Sequence, residues 1–544
     1  MSLNYKKTDL KVIKKLLIPC AVFSFFLSTT IVIGHALFNY GTLDTLLSSK
    51  GFIKGLLLIL IFSGILTGVS SIIVILTNIV ENSTTTLWRI YNHPWLFGIL
   101  FFLCWLPCYL AYYPGIFSYD MDSQIPQILG TVPYSKYHPP LHTFGFQICY
   151  TLEEFTGISG LVIYSIIQMC LLAIAFTYLI YLFISLKLNN GILFLSVLFI
   201  CFNPVIAIFS FIPAKDISFT IFFILYSVEL CLFIKKRAAY THNLFAMIRL
   251  IVFGLLCCLF RNNMIYAIIL SAAISFFLLK KHRKHWLITN ACIITAYFLI
   301  NGPLYTALGI AEGNPREMLS VPIQQISNVM VHCEPELSDE ELTLLNQYLP
   351  VDELDTLYNP RFADPVKNTF NTESFKKDKA SFFEIWFLLL KEYPKEYITS
   401  FLNLNLPYWY IDANSVDTYS NRIYIETFIY DPTITGYDVV RDSKFPWLYN
   451  KYEVFANFRT IQNIPGLSHF FSISLPIWVL LLTCTVMIAK RKKMCVYIVL
   501  PHICYWLTFL LGPVSNLRYV FALIALYPLY LALLINTQCF SPDE

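Results

Sequence analysis

The chain has 544 residues, 57% of them hydrophobic and only 13% charged, with 38 Lys and Arg against 34 Asp and Glu for a formal net charge of +4; its mean hydropathy is +0.62. A soluble globule carries about a quarter charged residues, so that class is excluded, and the absence of a basic, aromatic-interleaved patch excludes a nucleic-acid binder. What remains is an all-α polytopic membrane protein.

Runs long enough to cross a bilayer, roughly twenty residues with allowance for shorter tilted ones, fall near 16–39, 55–80, 94–112, 157–184, 191–211, 217–234, 246–260, 264–279, 286–303, 471–489, 494–512 and 519–536, which makes twelve spans. The first is too long for the apolar part of a cleaved signal and no A-x-A site follows it, so it reads as a retained span. Residues 1–93 then hold two N-terminal spans and 94–303 a membrane core with a large first outer loop at 112–156. An exported soluble domain follows at 304–470, and the C-terminal spans at 471–544.

Basic residues collect at Lys6, Lys7, Lys11, Lys14 and Lys15; at Lys235, Lys236 and Arg237; at Lys280, Lys281, Arg283 and Lys284; and at Lys490, Arg491, Lys492 and Lys493. Short translocated loops avoid such clusters. All four therefore lie inside, and both termini are cytoplasmic at the plasma membrane. The parity requires that 142–155 does not cross. That stretch is short and ends in Glu153 and Glu154, so it reads as a re-entrant or interface-lying helix on the outer face. Asn82-Ser83-Thr84 matches a glycosylation sequon, but the topology puts it inside.

This topology collects the polar groups outside. The stretch Tyr113–Gln124 carries Asp120 and Asp122, Tyr137–His142 carries His138 and His142, the next outer loop Lys215-Asp216, a hairpin tip Arg261-Asn262-Asn263, and the last short loop Asn516–Tyr519. Acids at a membrane edge are costly and are functional candidates by default; beside imidazoles they can bind a cation or move a proton. Each alone has a plainer reading, Asp120 as a turn cap and Lys215-Asp216 as helix-start charges. Their joint placement on one face is what points to a site.

Residues 304–470 hold 13 basic and 23 acidic side chains, a net charge of −10. This acidic part is the exported one, expected to be mostly helical and to lie on the outer leaflet, with aromatic runs at Ser381–Leu390 and Pro407–Tyr410 that mostly pack its core. Of the 15 cysteines only Cys333 falls in it, so it holds no disulfide framework. There is no C-x-x-C, H-E-x-x-H, Walker or dinucleotide glycine pattern. His35 and His502, inside spans, read as hydrogen-bonded core residues.

An acidic pair in a large outer loop after an early span, a second acid in the next outer loop, interface helices and Arg518-Tyr519 at the start of the last span resemble the type C glycosyltransferases, membrane enzymes that take sugars from polyprenyl carriers. More narrowly, Pro114–His142, Asn203-Pro204 to Lys215-Asp216, Arg261-Asn262 and Ser320–Gln325 are similar to a bacterial family of that superfamily. The likeness covers most of the chain beyond about residue 94. Where many relatives carry Asp-Glu, this chain has Asp120-Met121-Asp122, which leaves open which acid is catalytic.

The resemblance implies a type C glycosyltransferase fold and inverting transfer of a sugar from a polyprenyl-phosphate donor to a cell-envelope glycan or teichoic-acid-type polymer on the outer face. Such transfer needs a base for the acceptor hydroxyl, cations for the leaving phosphate and a groove for the lipid. Asp120 would be the base or a metal ligand, Asp122 the second candidate and Asp216 a further acid. Lys215, Arg261, Arg518 and Tyr519 would hold the phosphate. His138 or His142 would bind it too, or complete the shell of a Mg²⁺ or Mn²⁺ on Asp120 and Asp122. A wall-polysaccharide polymerase or ligase stays open as an alternative, although the paired acids favour the transferase. A lipid-linked glycan flippase or other transporter also stays open, although the chain lacks the internal repeats expected of one.

Overall fold

A computed structural model gives the fold; it describes residues 10–81, 93–278, 283–413, 425–456, 464 and 466–541. Lys6, Lys7, Lys280, Lys281 and the Asn82 sequon lie outside the described residues. Within them the chain is helical, and strand pairing is confined to three isolated bridges, Phe117 with Ile429, Ser135 with Ala311, and Phe362 with Val514.

Five helices are long and apolar enough to cross a membrane, Leu16–Tyr40, Ser49–Glu81, Gly160–Ser185, Lys215–Lys236 and Arg283–Ala307. Two further helices, Leu517–Ala525 and Tyr527–Ile535, meet at 42° and are long and apolar enough only when taken together. Shorter apolar helices include Trp95–Ala111, Asn190–Phe202, Leu244–Phe260 and Leu475–Ala489. The protein is a helical membrane protein. Each of the twelve apolar runs contains helix, but 191–211 breaks where Asn203 Oδ1 accepts from Val205 and Ile206 N–H, at 2.9 and 3.3 Å, and starts a new turn with Pro204. That is N-capping followed by proline at the first helical position.

One large cluster of buried side chains joins Trp95–Ala111, Gly160–Ser185, Lys215–Lys236, Val496–Phe509 and Leu517–Ala525. The helices Leu10–Tyr40 and Ser49–Glu81 pair with each other and lean on Leu475–Ala489. Gly34 meets Tyr410 closely: a Cβ there would lie 2.3 Å from the ring. Leu37, Leu406, Trp409 and Tyr410 share a small core at that contact.

Within 304–470 the described residues form two parts. The helices Ser320–Cys333, Asp339–Asn346, Lys379–Glu392 and Pro394–Leu404 bury Ile323, Leu345, Phe382, Ile385, Leu389 and Tyr397 among themselves. Gln324 and Gln325 serve this body, donating to the carbonyls of Asn359 and Tyr397, and Gln325 also accepts from Trp386 Nε1 at 3.0 Å. Beyond Leu404 the chain returns to the main helical core through Tyr408, and residues 425–444 run along the loop that follows Trp95–Ala111.

The stretch 142–155 lies in the helix Pro140–Thr156. His142, Thr143, Phe146 and Cys149 face inward, whereas Ile148, Leu152 and Phe155 are exposed. One face of this helix thus packs on the protein and the other exposes apolar side chains.

Candidate functional site

The loop after Trp95–Ala111 turns on Gly115 and Tyr119. Gly115 has φ 149° and passes so close to Leu161 that a Cβ would lie 3.1 Å from it; only glycine fits such a position without strain. Tyr119 is left-handed, φ 57°, a conformation that costs an L-residue about 1–2 kcal/mol. Its contacts offset that: the hydroxyl accepts from Glu426 N–H at 2.9 Å, the carbonyl accepts from Tyr430 Oη at 2.9 Å, and the ring lies 4.7 Å from the Arg518 guanidinium. The next residue, Asp120, is thereby delivered into the interior at 3% exposure.

Three other elements meet it there. Lys215 and Asp216 form the first turn of Lys215–Lys236. Arg261 ends Leu244–Phe260. Arg518 sits on the first turn of Leu517–Ala525, where Asn516 Oδ1 accepts its N–H at 3.0 Å. Arg518 Nη1 donates to Asp120 Oδ1 at 2.8 Å, and Lys215 Nζ lies 3.1 Å from Oδ2. Asp216, 1% exposed, pairs with Arg261 and lies 3.8 Å from Arg518 Nε. The result is one alternating row, Lys215, Asp120, Arg518, Asp216, Arg261, with three cations and two acids. Tyr519 lies between the guanidiniums, 4.8 Å from Arg261 and 5.1 Å from Arg518, a cation–π arrangement.

Burial alone would raise the Asp120 carboxyl, but Arg518, Lys215 and His138 outweigh it and hold the group well below the usual carboxylate range. His138 accepts from Lys215 Nζ at 2.6 Å through Nδ1; burial and that ammonium push it down to about 3, against the pull of Asp120. A cavity of about 170 Å³ opens beside the row, lined by Tyr137, Pro139, Lys215, Arg261, Asn262, Asn263, Thr508, Phe509, Gly512, Pro513 and Tyr519.

Of the residues read from sequence, Asp120, Asp216, Lys215, Arg261, Arg518, Tyr519 and His138 come together. Asp122 does not join the row. Its side chain is exposed on the first turn of Met121–Ile128, and its carboxyl is raised by partial desolvation and by the charge of Asp120. His142 is fully buried behind the site, its Nδ1 2.9 Å from Gln124 Oε1, and burial pushes it down to about 4. It therefore backs the site without lining the cavity. His502 is likewise a core residue, bonded to Ser227 at 2.9 Å and Tyr530 at 3.1 Å.

Among the described residues no group of three or more His, Cys, Asp or Glu side chains is arranged for a metal. Around Asp120 an ammonium and a guanidinium occupy the directions a Mg²⁺ or Mn²⁺ would need. The donor set does not fit a divalent ion in this arrangement, and no step below passes through one.

The sequence reading misses Tyr119, Gln124, Glu426 and Arg441. Arg441 Nη1 donates to the carbonyls of Tyr112 and Gly115, and its Nη2 to Thr427 at 2.8 Å. No local pattern marks these residues, since their partners are brought by the tertiary fold; only Tyr119, next to Asp120, carries a signal by position.

No curated protein and no solved structure matches the chain. Residues 149–539 match DUF6020, a family of unknown function, and the match takes in Lys215, Asp216, Arg261, Arg518 and Tyr519 while Asp120 lies before it. A match over that much of its length places the chain in the DUF6020 family.

Proposed function

We propose that this protein is a type C glycosyltransferase of about twelve spans, with both termini inside. It moves a sugar from a polyprenyl-phosphate carrier to a cell-envelope glycan or teichoic-acid-type polymer at the outer face. The observation that supports this best is the cationic cavity set against the row of Lys215, Asp120, Arg518, Asp216 and Arg261. A phosphate ester suits that lining, because guanidinium forks and an ammonium are the side chains that hold phosphate oxygens.

The same row accounts for timing. With Arg518 and Lys215 on it, Asp120 is a poor base, since its cations favour the ionised form. A donor phosphate in the cavity draws those cations toward itself, and the carboxylate recovers affinity for a proton. The acceptor oxygen then bonds to the sugar anomeric carbon as the bond from that carbon to the phosphate oxygen breaks. The hydroxyl proton goes to Asp120, and the carrier leaves as polyprenyl phosphate.

The test is purified protein in nanodiscs with polyprenyl-phosphate-linked sugars and envelope acceptor, following release of polyprenyl phosphate. Asp120→Asn keeps the shape and is expected to lower release by about 10²–10⁴, with normal recovery of protein. A second reading, flipping of a lipid-linked glycan, draws on the broken helix beside Arg518, because discontinuous helices line transporter sites. Donor that crosses the bilayer unconsumed would select it, and extension of diphosphate-linked glycans would select a polymerase.

A further inference from the structure

From Tyr112 to Asp120 the chain must place a carboxylate without regular structure of its own, so its backbone polar groups need partners from elsewhere. Several come from 425–444. Phe117 N–H donates to Phe428 O at 3.3 Å, its carbonyl accepts from Tyr430 N–H at 2.9 Å, and Asp442 N–H donates to Tyr113 O at 2.9 Å. The carbonyls of Tyr112 and Gly115 both go to one group, the Arg441 guanidinium, which also holds Thr427 O and lies 5.3 Å from the Tyr112 ring. A single side chain thus ties both segments together at the turn that precedes the site.

We propose that Arg441 is a positioning residue: through the Tyr112 and Gly115 carbonyls it fixes the loop that sets Asp120 between Arg518 and Lys215. Its own partners lie outside the charge row. The phosphate cavity is built by Lys215, Arg261 and Tyr519 on other elements, so loosening the loop separates rate from phosphate binding. Lysine keeps the charge but cannot span three carbonyls, and a displacement of 1 Å can cost about a hundredfold in rate. The rate arm of this inference rests on the glycosyltransferase reading; the loop arm does not.

The experiment uses the full chain in nanodiscs as wild type, Arg441→Lys and Arg441→Gly, the last with and without millimolar guanidinium. Three quantities are read: amide hydrogen exchange over 112–120, affinity for undecaprenyl phosphate, and release of polyprenyl phosphate from sugar-linked donor. Exchange in the loop should rise about tenfold or more and release should fall about a hundredfold, with affinity for undecaprenyl phosphate unchanged and both defects of Arg441→Gly partly reversed by guanidinium. Unchanged loop exchange, or affinity falling in step with release, overturns the proposal. If wild type neither binds undecaprenyl phosphate nor consumes donor, the glycosyltransferase reading fails, and loop exchange with guanidinium rescue still decides the role of Arg441.

Discussion

Arg518 faces Asp120 through Nη1 and Asp216 through Nε, and a guanidinium is the side chain whose fixed fork serves two acids at once. Charged hydrogen bonds are worth about 1.5–3 kcal/mol, so Arg518→Lys should weaken undecaprenyl phosphate binding roughly ten- to a hundredfold, read by titration in nanodiscs. Equal affinity would leave Arg518 a partner of the two acids with no hold on the phosphate. The imidazoles make a separate prediction. His138 and His142 are held near 3 and 4, below the ordinary value of about 6.5. As pH falls below that value, the unfolded chain takes up protons that the folded one refuses, and stability drops by up to about 1.4 kcal/mol per pH unit for each imidazole. The loss runs from about pH 6.5 down to about 4 for His142 and about 3 for His138, and thermal unfolding between about pH 6.5 and 4 should show a smaller slope in His142→Gln. The charged residues of the row were legible because each is costly beside an apolar run. Glu426 and Arg441 were not, because a lone acid or base in a polar stretch is ordinary until the fold gives it a partner.

At the scale of elements, apolar length located the helices but not their breaks. The kink between Leu517–Ala525 and Tyr527–Ile535 and the restart at Pro204 are set by proline and capping within runs that read as continuous. The Pro140–Thr156 helix was legible as a short helix of its own from its length and its closing glutamates. What sequence could not show was which helix faces the segment 304–470. Gly34 marks that face, since Tyr410 occupies the space of its missing side chain. Overpacking typically costs about 1–3 kcal/mol, so Gly34→Val should lower the unfolding temperature in detergent. Gly64→Val is the control, because nothing lies within 4 Å of a Cβ there. Equal effects of the two would mean that the Tyr410 contact carries no stability.

For the whole molecule, charge distribution was the readable feature and enclosure was not. Basic clusters at one set of helix ends and an acidic excess over 304–470 predict sidedness. A cysteine at exposed Ser338 should react with an impermeant reagent on whole cells, and one at exposed Lys493 only after lysis; reaction at Lys493 from outside would overturn the topology. The alternating row also sets the order in which its charges can be paired. Asp120 is made 398 residues before Arg518, which at about 5–20 residues per second is roughly 20–80 seconds of synthesis. Lys215 is made early in that interval and Arg441 late in it, so the partner missing to the end is Arg518. A nascent chain therefore holds Asp120 against Lys215 alone of its two close cations until the last helices are made. Translation that stops between the two leaves the row open at Arg518, with Asp120 and Asp216 each short of one cation.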